Sequence, residues 1–385
     1  MKKLLEIWPP IPISLRYGPT IWGDENIIAA LEHRDRVSDI LFYWEKIPEL
    51  ERFAAVMQEP FPALTSLMVA SHGYPALVLP EAFLGGSAPS LRTVALEGID
   101  FPALPRLLLS APHLVSLKLD TIPVSASISP ESMATCLATS INLENLDIEF
   151  QAPSSHPGLT CPPSFPRAIF PSLSSFTFKG ISEHLEDFVA RIDAPILRTL
   201  LITFKGSNLH VSQTLRFINR AQRFTLPKSA VFGLRILVLS LKFGPSDSFA
   251  LEITCDNVIE GELAVSLICR KLSPLLSHVA CLDLYGVMSR PWPPWWYFIH
   301  PTQWLEFFRP FIATQSLRVS HTLGHCLSQA LQEISREADA GLLPELRTLF
   351  LEGSQPLVSA PAAWEPFVAA RQLSGRPLDV QPWEP

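Results

Sequence analysis

Three groups of residues in this 385-residue chain have types and spacings that could do chemistry. His321 and His325 stand four apart and Cys326 follows, so on a helix two ligands would share one face for a cation such as zinc. Two ligands fall short of a tetrahedral site, and an ordinary helix face accounts for the same spacing. Ser182-Glu183-His184, with Glu186 and Asp187, could make an acid/base cluster. A capped helix start with acids in its first turn explains those residues more simply. Cys255, Cys269 and Cys281 lie among apolar residues and read as small core side chains rather than nucleophiles. The chain contains no G-x-x-x-x-G-K-[ST], G-x-S-x-G, H-E-x-x-H or G-x-G-x-x-G motif. The expectation is a protein with no catalytic, cofactor-binding or metal-binding residues, and not an enzyme. A hydrolase or transferase within the irregular stretch 205–275 is kept as a remote alternative.

Composition narrows the remaining classes. The chain has 30 Lys plus Arg against 37 Asp plus Glu, a formal charge of −7, which argues against a general nucleic-acid binder. Charged residues make up 17% and apolar residues 48%, which excludes a polar disordered chain. Cysteines at 136, 161, 255, 269, 281 and 326 form no C-x-x-C pair, which fits a reducing compartment, cytoplasmic or nuclear. No run approaches the ~18 apolar residues of a membrane span, so no membrane partner is expected. Met1-Lys2-Lys3-Leu4-Leu5 is cut short by Glu6, Pro9 and Pro10 and makes a poor signal peptide.

The chain repeats itself. A unit Pro-x-Leu-x-x-apolar-x-apolar recurs as Pro62/Leu64/Leu67/Val69, Pro89/Leu91/Val94/Leu96 and Pro112/Leu114/Leu117/Leu119. It returns as Pro171/Leu173/Phe176/Phe178, Pro195/Leu197/Leu200/Ile202 and Pro344/Leu346/Leu349/Leu351. Val37/Ile40/Phe42, Leu143/Leu146/Ile148 and Val279/Leu282/Leu284 keep the apolar triplet without the proline, and Thr314/Leu317/Val319 is a weaker copy. The triplet L-x-x-L-x-L is the leucine-rich-repeat signature. Its last two apolar residues are two apart, so they point to one face of a short strand. One such unit cannot bury that face alone, whereas stacked neighbours can.

Val37, Leu64 and Leu91 are spaced by 27 residues each, and later steps run from 23 to 30. Such a length leaves room for a helix in each unit, and stretches 50–59, 129–140, 182–193, 261–277, 303–313, 323–340 and 362–373 have helical spacing or caps. The expected fold is α/β: a leucine-rich-repeat solenoid, or horseshoe, of about ten to twelve repeats. A parallel sheet in chain order would line the concave face and helices the convex one. Residues 1–36 would cap it, and 37–385 would form the array. It would carry a Pro-rich insert at 151–170 and an aromatic, Pro-rich insert at 286–301. Between Leu197 and Val279 the frame is unclear, with Ala221/Phe224/Leu226, Leu234/Leu237/Leu239 and Phe249/Leu251/Ile253 competing as strands. The asparagine usual after the strand is replaced by Ile99, Ile122, Ile181 and Val287, so Gly98, Gly180, Gly286 and Gly353 are expected to help satisfy those turns.

Within the triplet frame, positions three, five and seven alternate with the buried pair. Position three is small and mostly polar, as at Ser66, Thr93, Ser116, Asn145 and Ser175. Positions five and seven carry Glu97, Lys118, Asp120, Asp147, Glu149 and Lys179 on neighbouring units, and Asp283, Arg318 and Glu352 later. The acidic excess suits a basic segment of a protein partner, or it mirrors a net acidic chain. Trp292, Trp295 and Trp296 in the second insert either anchor that partner or fold back onto the array.

Longer stretches carry a family likeness. Trp8-Pro9-Pro10, Arg16-Tyr17-Gly18-Pro19, Gln58-Glu59-Pro60-Phe61-Pro62-Ala63-Leu64, Phe83-Leu84-Gly85-Gly86-Ser87-Ala88-Pro89 and Val189-Ala190-Arg191-Ile192-Asp193-Ala194-Pro195 resemble the fungal F-box/leucine-rich-repeat proteins. So does Phe367-Val368-Ala369-Ala370-Arg371-Gln372-Leu373-Ser374-Gly375. The resemblance implies repeats that select the substrate of a ubiquitin ligase, beside an F-box that binds a Skp-type adaptor. Only seven residues precede Trp8, so residues 1–385 by themselves are not expected to bind that adaptor. The alternative is a stand-alone or decoy repeat scaffold with no ligase role.

Overall fold

The proline of each unit sits at a turn, and the turn fixes where the strand begins. In the computed structural model, the carbonyl of Phe61 accepts from the N–H of Leu64 across Pro62, and Ala88 does the same for Leu91 across Pro89. Ala111 to Leu114, Phe170 to Leu173, Ala194 to Leu197 and Leu343 to Leu346 repeat the bond across Pro112, Pro171, Pro195 and Pro344. These are β-turns with proline at the second position, where its fixed φ is already the one required. The described residues are 11–18, 24–44, 47–71, 73, 76–122, 128–150, 167–205, 210–221, 224, 226–234, 237–243, 249–255, 269–286, 300–336, 342–353 and 362–384. The chain divides into two compact units, Met1–Leu197 with Arg220–Gln222, and Arg198–Asn219 with Arg223–Pro385.

The first unit is α/β. Its strands are β1 (Ile13–Tyr17), β2 (Val37–Trp44), β3 (Ser66–Ser71), β4 (Leu77–Val78), β5 (Thr93–Glu97), β6 (Ile99–Asp100), β7 (Ser116–Ile122), β8 (Asn145–Phe150), β9 (Ala168–Ile169), β10 (Ser175–Gly180) and β11 (Ile192–Asp193). Strands β1, β2, β3, β5, β7, β8 and β10 form one parallel sheet in chain order. β4 with β6 and β9 with β11 make two small parallel pairs. The register places equivalent triplet residues opposite one another. Leu67, Val94, Leu117, Leu146 and Phe176 form one ladder, and Val69, Leu96, Leu119, Ile148 and Phe178 the next. All ten are buried, as are the turn residues Leu64, Leu91, Leu114, Leu143 and Leu173.

Helices Asp24–Leu31, Ile47–Val56, Leu104–Leu109, Pro130–Leu137 and Ser182–Ala190 belong to the same unit. Leu104–Leu109 packs on Pro130–Leu137, which packs on Ser182–Ala190. Ser129 caps the second of these, its Oγ accepting from Ser132 N–H at 3.1 Å, with Pro130 and Glu131 in the first turn. The third is capped differently from expectation. Its N-cap is Ile181, without a side-chain bond, and Ser182 lies inside the helix with its hydroxyl on Glu183. Gly98 takes φ +63° and donates to Asp120 C=O at 3.0 Å, so here a glycine does complete the turn after the strand.

The second unit contains β12 (Thr199–Phe204), β13 (Pro227–Leu234), β14 (Leu237–Phe243), β15 (Phe249–Cys255), β16 (Cys281–Tyr285), β17 (Ser316–Val319), β18 (Thr348–Glu352) and β19 (Asp379–Trp383). β13, β16, β17, β18 and β19 run parallel in chain order, and β12 runs parallel to β15. The expectation of parallel strands in chain order fails at β13–β15. These three are antiparallel, in the order β15, β14, β13. Only residues 235 and 236 separate β13 from β14, and a parallel crossover needs a dozen residues or more. Leu234/Leu237/Leu239 therefore spans a hairpin rather than a repeat. Ala221, Phe224 and Leu226 lie in no strand, whereas Phe249/Leu251/Ile253 falls in β15.

Aromatic packing fixes the helix beside β13. The helix Pro301–Phe308 puts Phe307 4.9 Å from Phe232 and 5.6 Å from Trp304. A capping box joins His300 and Gln303 at its start, so the helix opens two residues before the expected 303. Helix His321–Arg336 likewise starts ahead of the expected 323, and Glu365–Leu373 lies within 362–373. Of the expected helix 261–277, the described part includes Ser273–Leu276. Residues 151–166 and 287–299, most of both inserts, lie outside the described residues.

Candidate interaction surface

Alternation along each strand leaves one sheet face uncovered by the apolar ladders. In the first unit that face has three rows. Asp39, Ser66, Thr93, Ser116, Asn145 and Ser175 stand in register along the first. Arg16, Leu41, Met68, Ala95, Lys118, Asp147 and Thr177 stand along the second. Tyr43, Ala70, Glu97 and Asp120 begin the third, and Glu149 and Lys179 face each other farther along it. The six charged residues singled out from the sequence thus share one face. Trp292, Trp295 and Trp296 lie outside the described residues.

Most of the charges are paired. Lys118 Nζ lies 3.1 Å from Asp120 Oδ2, and Lys179 Nζ donates to Glu149 Oε2 at 3.1 Å. Glu149 is only 8% exposed and is also hydrogen-bonded with Asp120. The hydrogen bond to Asp120 raises the Lys118 ammonium against the smaller opposing effect of burial. For Lys179, burial pulls down, but Glu149 and the nearby aspartates outweigh it and the ammonium ends above its usual value. Burial pushes the Asp120 carboxyl up, and the hydrogen bonds it shares with Lys118 and Glu149, with both lysine charges, bring it below the usual range. Asp147 behaves in the opposite way. It makes no hydrogen bond or ion pair among the described residues, and burial holds its carboxyl above the usual range despite Lys179 and Lys118.

A β-bulge lies beside this cluster. The β7–β8 register shifts between Leu119 and Ile122, and Thr121 takes φ +50°. A β-branched residue at positive φ is strained, and such bulges re-aim side chains beside functional surfaces.

Sequence reasoning passed over the apolar members of the face. Leu41 is 40% and Met68 42% exposed, opposite each other on β2 and β3. The signal was available: both occupy position five of the triplet frame, where the next units of the first sheet, at Ala95, Lys118, Asp147 and Thr177, carry polar or small residues.

The second unit has its own row on the alternate face, running from a buried Asp283 to an exposed Gln381. Asp283, Arg318, Phe350 and Gln381 stand in register across β16 to β19. Arg318 lies 3.5 Å from Asp283 Oδ2, with its guanidinium 5.4 Å from the Phe350 ring centre and 6.0 Å from that of Trp383. Trp383 and Tyr285 meet edge to face at 5.3 Å. Burial raises the Asp283 carboxyl, and Arg318 opposes that. Tyr, Trp and Arg together are the residue types that dominate protein interfaces.

Of the groups first considered for chemistry, Ser182 bonds Glu183 at 3.1 Å in one helix, and burial lowers the neighbouring His184 despite Glu183 and Asp187. His321 bonds Glu352 through Nδ1 at 3.1 Å, while Cys326 Sγ points to Leu323 C=O and its thiol is raised by burial to about 11. No group of three metal-ligating side chains occurs among the described residues. Burial also raises the Cys269 and Cys281 thiols, which disfavours the nucleophilic thiolate. No helix among the described residues is long and apolar enough to cross a membrane.

No protein-family model matches the chain, and no curated protein matches it. The crystal structure of the leucine-rich repeat-containing protein LegL7 from Legionella pneumophila is similar at 10% identity and a TM-score of 0.32. The match covers 95% of this chain and 98% of that one. A likeness of that size carries no weight for the fold, which rests on the strand register described above.

Proposed function

We propose that this chain is a leucine-rich-repeat protein-interaction scaffold, a solenoid that binds a protein partner on the exposed sheet face. The observation that carries the reading is the ladder of the first unit. Equivalent residues of successive 27-residue units stand opposite one another, which is how a repeat architecture builds both a continuous core and a continuous outer surface. That outer surface carries exposed apolar side chains and half-buried Asp147, which has no ion pair among the described residues, and a partner would cover both. The role proposed is binding, not catalysis, in a cytoplasmic or nuclear setting. The finer reading, a receptor for substrates of an F-box ubiquitin ligase, rests on the sequence motifs alone.

The test uses the full chain as bait. Wild type, Met68→Glu, Asp147→Lys, Arg318→Glu and the helix-side control Leu109→Ser are immobilised and challenged with one cell extract. A protein retained by wild type and Leu109→Ser but lost from a sheet-face variant supports the reading. Equal retention by all five contradicts it.

A further inference from the structure

The second row of the first unit changes character along its length. Leu41, Met68 and Ala95 are apolar, and Lys118 and Asp147 are charged. Two exposed large apolar side chains side by side lose free energy to water that a partner's apolar group would recover. The charged end has a sign. Glu97, Asp120, Asp147 and Glu149 stand against Lys118 and Lys179, four carboxylates to two ammonium groups, which leaves −2. Both lysines are already engaged, Lys118 with Asp120 and Lys179 with Glu149. Asp147 stands between their strands, where both ammonium charges act on it, but it makes no hydrogen bond or ion pair among the described residues. A carboxylate left half-buried and unpaired is costly, and a cation from outside offsets that cost. An outside anion would meet the net negative charge and two lysines that already have carboxylates.

The spacing is fixed by the sheet. Met68 on β3 and Asp147 on β8 are three strands apart, about 14 Å at ~4.8 Å per strand. An extended chain covers ~3.3 Å per residue, so about four residues span that distance. Residues i and i+4 of an extended segment also point to the same side. We infer that the face of β2, β3, β5, β7 and β8 docks an extended protein segment lying across the strands. Its bulky apolar residue seats on Leu41 and Met68, and a Lys or Arg about four positions away pairs with Asp147. This rests on the interaction reading above and specifies the partner for that surface.

The probe is a phage library of random twelve-residue peptides, selected on the immobilised full chain. Single peptides are then measured by fluorescence anisotropy. Expected are enriched peptides with a bulky apolar residue and a Lys or Arg three to five positions apart. Their binding should fall at least tenfold with Asp147→Lys and with Met68→Glu, fall less with Asp147→Asn, and not change with Arg318→Ala. Enriched peptides that depend on Arg318 and ignore Asp147 overturn the inference while leaving the interaction reading in place. Enriched acidic peptides, or no enrichment at all, overturn it as well, and the bait experiment then decides the broader reading separately. Circular dichroism of each variant separates lost binding from lost folding, and Asp147→Asn provides a conservative variant should the reversal unfold.

Discussion

Lys179 on β10 stands directly opposite Glu149 on β8 and holds it at 3.1 Å, a pair drawn from units 30 residues apart in the chain. The pairing matters for what it leaves out. With Lys118 committed to Asp120 in the same way, Asp147 between them feels both ammonium charges but forms no ion pair of its own among the described residues.

That difference predicts opposite pH behaviour at two neighbouring aspartates. A carboxyl held above its unfolded value binds its proton more tightly when folded, so its charge costs stability as pH rises past the ordinary value of ~3.9. Asp147→Asn should therefore stabilise the chain at pH 7, with the gain shrinking as pH falls towards 4. Asp120, held below the usual range, contributes stability above its unfolded value that is lost on acidification. Asp120→Asn should destabilise at pH 7, with the loss shrinking at low pH. Urea denaturation of both variants across that range checks the signs, and parallel behaviour of the two would refute the assignment.

The apolar ladder predicts where truncation hurts. Leu117 is fully buried, with Val94 and Leu146 opposite it on either side. Leu117→Ala should cost about 2–5 kcal/mol, the range for a buried leucine truncation. Chemical denaturation reads it, and an unchanged midpoint would show that the ladder is wrongly registered.

Gly98 predicts a backbone effect. A Cβ there would lie 2.0 Å from Ser71 C=O, and φ is +63°. Gly98→Ala should destabilise by about 1–3 kcal/mol or more, because neither the space nor the dihedral suits a side chain. A variant as stable as wild type would mean that the turn after β5 is built differently.

In the second unit, Arg318 and Asp283 should behave as a coupled pair. Arg318→Met leaves the buried Asp283 carboxylate without its 3.5 Å partner and should cost about 1–2 kcal/mol, between an exposed and a fully buried pair. Adding Asp283→Asn should recover most of that loss in a double-mutant cycle. Strict additivity of the two changes would mean that they do not interact.

The repeat part of the fold was legible because burial at triplet positions one, four and six is written directly into residue type. Pro62, Pro89 and Pro112 marked the turns for the same reason. The hairpins β13–β14 and β14–β15 were not legible. Their residues alternate as those of a parallel strand would, with Ala230, Phe232, Leu239, Leu241, Leu251 and Ile253 buried, and strand direction leaves no mark on that alternation. Only the short links encode it, two residues between Leu234 and Leu237 and five between Phe243 and Phe249. β19 was missed because Asp379-Val380-Gln381-Pro382-Trp383 lacks the triplet, and so Trp383 was not placed beside Arg318 and Tyr285. The charged half of the candidate surface followed from the frame. The apolar half was missed because Leu41 and Met68, exposed at position five, are apolar like the buried ladder beside them.

Met68 offers the most direct test of the central claim, since it lies 42% exposed on the proposed docking face while Met57 and Met133 are fully buried. Peroxide converts exposed methionine to its sulfoxide, so mass spectrometry of Met68 oxidation, with and without a saturating selected peptide, reports whether that face is covered. The account predicts that Met68 oxidises readily in the free chain and at least several-fold more slowly in the complex, with Met57 and Met133 slow in both. Oxidation of Met68 at an unchanged rate in a saturated complex would contradict it.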